Sequence, residues 1–399
     1  MAHTTERPLS GLRVLDLSRV LAGPYCAMLL GDLGAEVIKV EEPTRGDETR
    51  TWGPPYVGGE SGYYLGLNRN KRGITLNLKH PEGLAVLDRL IAQSDVLIQN
   101  FKAGTLERLG RGDDVLERMN PRLVRLAISG FGADGPYRDR PAYDFILQAM
   151  VGLMSITGEP EGEPMRLGVA VVDVVTALYS AVGVLGALQA RERTGRGQRV
   201  DTSLLESGVA MLVNIASNYL NSGKEPVRHG NAHANIVPYQ TFRAANGYIA
   251  IAVGNDGQFA KLCQVLEAPE LAADPLYATN QVRVANRAVL LPILQEYFGR
   301  QSVGHWTDSL IAAGLPAGPI NTVDQVFADP QVLARRMVER LAHPTAGEIG
   351  MVRSPWTFSE TPSGIDRHPP LLGADTAAVL MELGYTNVEV ERMHASGVI

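Results

Sequence analysis

Residues 12–17, LRVLDL, form a short apolar run that fits a buried strand. The loop SRVLAGP follows, then YCAMLLGDLG, which reads as a helix with Gly34 as its stop. AEVIKVE, residues 35–41, is the next strand. A strand, a helix and a strand within about 30 residues make the two strands parallel, because antiparallel neighbours need only a tight turn between them. The pattern recurs: strands at 73–78 (GITLNL), 95–99 (DVLIQ) and 123–129 (LVRLAIS), a helix over 81–93 and a short one from Thr105 to Leu109. This alternation predicts an α/β fold with a doubly wound parallel sheet. In such sheets ligands bind beyond the carboxyl ends of the strands. No G-x-G-x-x-G or G-x-x-x-x-G-K stands at these turns, so neither the dinucleotide fingerprint nor a P-loop is indicated.

The second half is organised differently. Leu167–Ala190 is apolar almost throughout and reads as a buried strand plus a helix rather than a membrane span, since Asp173, glycines, Thr and Ser interrupt it. ARERTGRGQRVD is a charged turn, and Thr202–Leu220 reads as a long helix, so 201–225 is expected to be a linker helix. NSGKEPVRHGNAHANIVP is polar and turn-rich, a linker or an active-site loop. YQTFRAANGYIAIAVGND predicts a hairpin around Asn246-Gly247. Helical stretches run on to about Ala313, so 226–325 is expected to be a smaller α/β domain after a first domain over 1–200.

The chain has 399 residues, a net charge of −6, 45% hydrophobic and 20% charged residues, the profile of a soluble globular protein with room for two or three domains. The charge gives no indication of nucleic-acid binding. Cys26 and Cys263 lie far apart and no His/Cys cluster suggests a metal. The segment MAHTTERPLSG lacks the apolar core of a signal peptide. The expected setting is cytoplasmic, with no metal, membrane or nucleic-acid partner.

Three groups carry chemistry. Arg69, Lys71, Arg72, Lys79, Lys102, Arg108 and Arg111 gather basic charge near predicted strand ends. They suit either a phosphorylated ligand or a solvated surface. Tyr143 and Asp144 open an apolar helix. Tyr143 reads as a buried phenol or a site residue, and Asp144 as a first-turn acid favoured by the helix dipole or a site residue. Asp173 is a lone carboxylate in an apolar run. It fits a helix N-cap, and that reading is compatible with a nucleophile toward an activated acyl group, kept ionised by the helix N-terminus.

The segments GLRVLDLSRVLAGPYCAMLLGDLGAEVIKVE, LNRNKRGITLNLK, DVLIQNFKAGTLERLG, SGFGADGPY, RPAYDFILQAMVGLMSITGEP and GRGQRVDTSLLES together resemble the family III CoA-transferases. The likeness covers almost the whole chain and is strongest to the succinate–glutarate (hydroxymethylglutarate) type. The resemblance implies a Rossmann-like large domain that takes in 326–399 as well as the N-terminal part, a smaller α/β domain between, and an interlocked homodimer. It implies coenzyme A thioesters as substrates, with no permanently bound cofactor, and carboxylic acids as acceptors. Asp173 falls on the family's nucleophile. CoA contacts carry over to Leu21, Ala22, Leu76, Asn77, Leu78, Lys79, Asn100, Phe101, Lys102 and Arg108, and Tyr143 and Asp144 to the neighbourhood of the thioester.

Leu21 stands where formyl-CoA transferase has a glutamine, and the glycine run that closes over the intermediate there is absent; RHGNAHANIVPY occupies the comparable region. His233 and Tyr239 are candidates for substrate contact or for loop structure. Arg19, Arg166 and Arg228 are candidates to pair with the distal carboxylate of a dicarboxylic acid. Two other activities share these features: an α-methylacyl-CoA racemase, whose His-Asp dipeptide is replaced here by Tyr143-Asp144, and a catalytically idle CoA-binding protein.

Overall fold

The computed structural model describes residues 6–399. Six parallel strands form the central sheet: β1 (Arg13–Asp16), β2 (Glu36–Glu41), β3 (Lys71–Thr75), β4 (Val96–Gln99), β5 (Val124–Ser129) and β6 (Arg199–Ser203). Their order is β3-β2-β1-β4-β5-β6. The order reverses between β1 and β4, and that switch point is where such sheets open a crevice for ligands.

Successive residues of β1, β2 and β4 serve opposite cores. Val14, Val37, Val96 and Ile98 face one cluster, and Leu15, Ile38 and Leu97 face the other. A sheet covered on both faces needs apolar residues at nearly every position, which is why LRVLDL and DVLIQ read as continuous runs. The first face is covered by α1 (Ala22–Asp32) and α5 (Val171–Thr194). The second is covered by α3 (Pro81–Ala92) and by two helices of the tail, α11 (Thr376–Glu382) and α12 (Asn387–Ala395). Helix α2 (Gly62–Leu65) lies in the β2–β3 connection, capped by Ser61. Helix α4 (Asp144–Met150) packs on α5 and α6 (Leu204–Ala210), and α7 (Val213–Ser222) follows. Gly34, with φ +102°, takes the left-handed turn that ends α1, as expected from the sequence.

The chain divides into two compact units. One holds 6–153, 167–221 and 333–399; the other holds 154–166 and 222–332. In the second unit β7 (Tyr239–Ala244) and β8 (Gly247–Ala252) form the expected hairpin, with Ala244 opposite Gly247, and β9 (Ala317–Pro319) pairs with β8. Helices α8 (Asp256–Val265), α9 (Arg287–Phe298) and α10 (Val303–Ala312) pack on this sheet. Phe298 stacks on Phe242 at 4.6 Å between ring centres and meets Trp306 edge-on at 5.3 Å.

Two expectations are corrected. Leu167–Ala190 holds no strand: a single 24-residue helix begins at Val171, and it is long and apolar enough to cross a membrane by length and composition. Thr202–Leu220 is not one helix. Its first residues complete β6, because Thr202 and Ser203 pair with Ile128 and Ser129, and the rest breaks into α6 and α7.

Candidate active site

Asp173 lies in the first turn of α5, two residues past Val171. The N-cap position belongs to Ala170, which has no side-chain acceptor. A helix start needs acceptors for its first N–H groups. Asp144, at the start of α4, supplies one: its Oδ1 accepts from Val172 N at 2.8 Å and from Asp173 N at 3.3 Å. Gln148, one turn along α4 and fully buried, donates to Asp144 Oδ2 at 2.6 Å and to the Val169 carbonyl, and accepts from Leu167 N at 2.9 Å. The N-cap reading of Asp173 is therefore corrected. A residue 29 positions upstream does the capping.

The consequence is chemical. The first α5 amides bond Asp144, so they do not hydrogen-bond the Asp173 carboxylate and hold it ionised as the sequence reading expected. Burial, and then the charge of Asp144, push the Asp173 carboxyl up to about 7. No hydrogen bond or ion pair to its carboxylate is present among the described residues, so both oxygens stay available. Tyr63 of α2 feels the same charges: burial, then Asp173 and Asp144, push its phenol up to about 12. Trp52 meets the Tyr63 ring edge-on at 5.1 Å. Gln148 and Tyr63 escaped the sequence reading. The Asp-x-x-x-Gln spacing placed Gln148 on the face of Asp144, but nothing local marks Tyr63.

The switch point lies in the same unit. Asn100, just after β4, bridges to the loop after β1: its Oδ1 accepts from Arg19 N at 2.9 Å and its Nδ2 donates to the Arg19 carbonyl at 2.7 Å. The basic cluster splits in two. Arg69 pairs with Asp32, Lys71 with Asp16, Arg72 with Glu36 and Glu382, and Arg111 with Asp88. Those four hold the fold. Lys79, Lys102 and Arg108, in the loops and short helix after β3 and β4, are exposed and have no carboxylate partner among the described residues. Three unpaired cations beyond the carboxyl ends of β3 and β4, two strands of one parallel sheet, suit a polyanionic ligand.

The comparisons with known proteins decide the family. The model of CoA-transferase family III matches residues 9–376. The chain belongs to that family. A succinyl-CoA:glutarate CoA-transferase of Homo sapiens is 44% identical over 394 residues, covering 98% of this chain and 90% of the human protein. A succinate–glutarate CoA-transferase of Agrobacterium fabrum is 45% identical over 382 residues, covering 94% and 96%. The crystal structure of a CaiB/BaiF family protein from Brucella suis superposes with a TM-score of 0.84 at 46% identity, covering 95% of this chain and all of that one. This protein is a CoA-transferase.

The remaining family positions take several places. Leu21 and Ala22 begin α1 and are buried. Leu76 is buried; Leu78 and Phe101 are half-buried against the second core. The Asn77 amide reaches the Gly397 carbonyl, and its Oδ1 accepts from Lys79 N. Tyr143 is 57% exposed, which corrects the buried-phenol reading. Arg19 pairs with Glu48 at 3.1 Å. In the second unit Arg228 gives its Nε and Nη2 to the carbonyls of Glu159, Pro160 and Gly162. The His233 and Tyr239 rings lie 5.3 Å apart, and the His233 amide donates to the Tyr239 carbonyl. Among the described residues no group of three His, Cys, Asp or Glu is placed to hold a metal ion.

Proposed function

We propose that this CoA-transferase moves CoA from succinyl-CoA to a C4–C6 dicarboxylate, such as glutarate, hydroxymethylglutarate or malate, through a covalent aspartyl-CoA intermediate on Asp173. The observation that carries the reading is the division of labour between Asp144 and Asp173. One acid caps the helix; the other is left with two free oxygens in a partly buried, family-matched position. The names of the human and Agrobacterium fabrum relatives supply the substrate class.

An Asp173 oxygen attacks the thioester carbonyl, the C–S bond breaks, and CoA leaves as a thiolate. The product is a mixed anhydride. The thiolate then attacks the aspartyl carbonyl, forming aspartyl-CoA and releasing succinate. The acceptor carboxylate attacks that thioester and expels the thiolate, which returns to the acyl carbonyl of the new anhydride and frees Asp173. Covalent catalysis divides one exchange into steps of similar energy. Lys79, Lys102 and Arg108 hold the CoA phosphates, and Leu21, Ala22, Leu76 and Phe101 line the path of the nucleotide. Tyr143 flanks the thioester, while Asp144 acts by positioning. CoA comes and goes as a substrate.

We further propose a cytoplasmic homodimer with interlocked chains, whose large and small domains follow the two compact units, with 154–166 in the unit of 222–332 rather than within the expected 1–200. Apolar exposure supports a self-partner. Helix α7 has no buried residue, with Val213 71% and Leu220 77% exposed, and α5 leaves Val182 66% exposed.

The test is product analysis. With succinyl-CoA and glutarate in heavy water, glutaryl-CoA should form, succinate should appear in equal amount, and no deuterium should enter the α-carbon. Deuterium uptake without exchange would make the protein a racemase. No CoA ester from any C4–C6 dicarboxylate would overturn the substrate class.

A further inference from the structure

The loop after β1 adopts a backbone conformation that its sequence opposes. Val20 has φ +71°. A β-branched residue in the left-handed region is strained, and persists only where its surroundings force it. Three groups do so. Asn100 holds both the N–H and the carbonyl of Arg19. The Lys39 ammonium donates to the Ser18 carbonyl at 3.0 Å. Both oxygens of Asp47 lie 3.3 Å from the Val20 amide.

Lys39 and Asp47 pair at 2.9 Å with both side chains fully buried. Asp47 Oδ1 also accepts the Thr49 amide and hydroxyl, at 3.0 and 2.8 Å. A buried ion pair seldom exists for stability alone, since desolvation offsets its attraction. Here each member also grips the loop that leads into α1. That loop lies against the helix it precedes: a Cβ on Gly23 would fall 2.3 Å from the Ser18 Cβ. Residues 18–20 therefore fix where Leu21 and Ala22 stand.

We propose that the buried Lys39–Asp47 pair is a positioning device for acyl-CoA binding, holding Val20 left-handed so that Leu21 and Ala22 meet the thioester substrate at the sheet's switch point. The inference rests on the CoA-site reading above. Burial works against both charges, yet each partner overcomes it, leaving Asp47 below the usual carboxylate range and Lys39 above the usual ammonium range. The clamp stays charged around neutral pH and does not titrate with Asp173.

A loop that contacts non-reacting parts of CoA binds ground state and transition state alike. Its loss raises KM and spares kcat. The experiment compares wild type, the double variant Lys39→Met/Asp47→Leu, and that variant with Val20→Gly added. The double substitution removes both charges together, which leaves no orphaned ion. Its KM for succinyl-CoA should rise about tenfold, with kcat within about twofold and KM for the carboxylate acceptor unchanged. Val20→Gly takes the left-handed conformation without strain and should bring KM back toward wild type. Thr49→Val removes the hydroxyl that orients Asp47 without touching a buried charge and should show the same KM–kcat split, so the idea is tested even if the double variant does not fold. A lowered melting temperature with unaltered KM, or no rescue by Val20→Gly, would overturn the positioning role. A wild-type enzyme that exchanges no CoA would overturn the reading beneath it instead.

Discussion

Asp173 and Asp144 divide between them what one carboxylate was expected to do. An unfolded aspartate titrates near 3.9, and Asp173 in the folded protein near 7. Between those values the native state holds the extra proton, so this group's contribution lowers stability as pH rises from about 4 to 7. Asp173→Asn is expected to lose CoA exchange, to melt on the order of 5 °C above wild type at pH 8, and to match it at pH 4, as read by calorimetry. The ionised carboxylate is the nucleophile, so kcat/KM should climb with pH to a plateau above about 7. Asp144→Asn keeps an oxygen for the Val172 amide but removes the charge, and should move that limb to lower pH. Asp144→Ala leaves the helix start uncapped and should cost about 1–3 kcal/mol in denaturant unfolding. The position of Asp173 was legible from the apolar run around it and from the family motif. Its environment was not, because the residue that sets it comes from another helix.

At the scale of elements, the sheet was readable and the charges were not. A strand buried on both faces announces itself as a continuous apolar run, and β1, β2, β4 and β5 fall within a residue or two of their expected spans. Arg69, Lys71, Arg72 and Arg111 looked like the rest of the basic cluster. Their partners Asp32, Asp16, Glu36, Glu382 and Asp88 come from other elements, so only the fold reveals them. The two halves of the cluster should respond oppositely. Lys102→Ala and Arg108→Ala are each expected to raise KM for succinyl-CoA roughly three- to tenfold, leave kcat and melting temperature unchanged, and flatten the salt dependence of KM. Arg69→Ala strands buried Asp32 and should cost about 3–5 kcal/mol of stability.

For the whole molecule, the path between the two units is the part the sequence hid. Residues 154–166 belong with 222–332, and the contacts that join them are backbone bonds of long range, Gly230 N to the Gly158 carbonyl at 3.1 Å and Arg228 on three carbonyls. No periodicity encodes such bonds. The apolar exposure on α5 and α7 bears on assembly. Light scattering should give about twice the 43.0 kDa chain mass. Tagged and untagged protein, mixed when folded, should form no hybrid dimers until both are denatured and refolded together. Ready exchange between folded dimers would contradict interlocking.

Acyl transfer through Asp173 leaves a covalent trace that mass spectrometry of the peptide carrying this residue reads. The enzyme is incubated with succinyl-CoA and quenched with hydroxylamine. A hydroxamate is expected at Asp173 and at no other carboxylate, absent in Asp173→Asn. An unmodified Asp173 in an enzyme that still exchanges CoA would contradict that transfer.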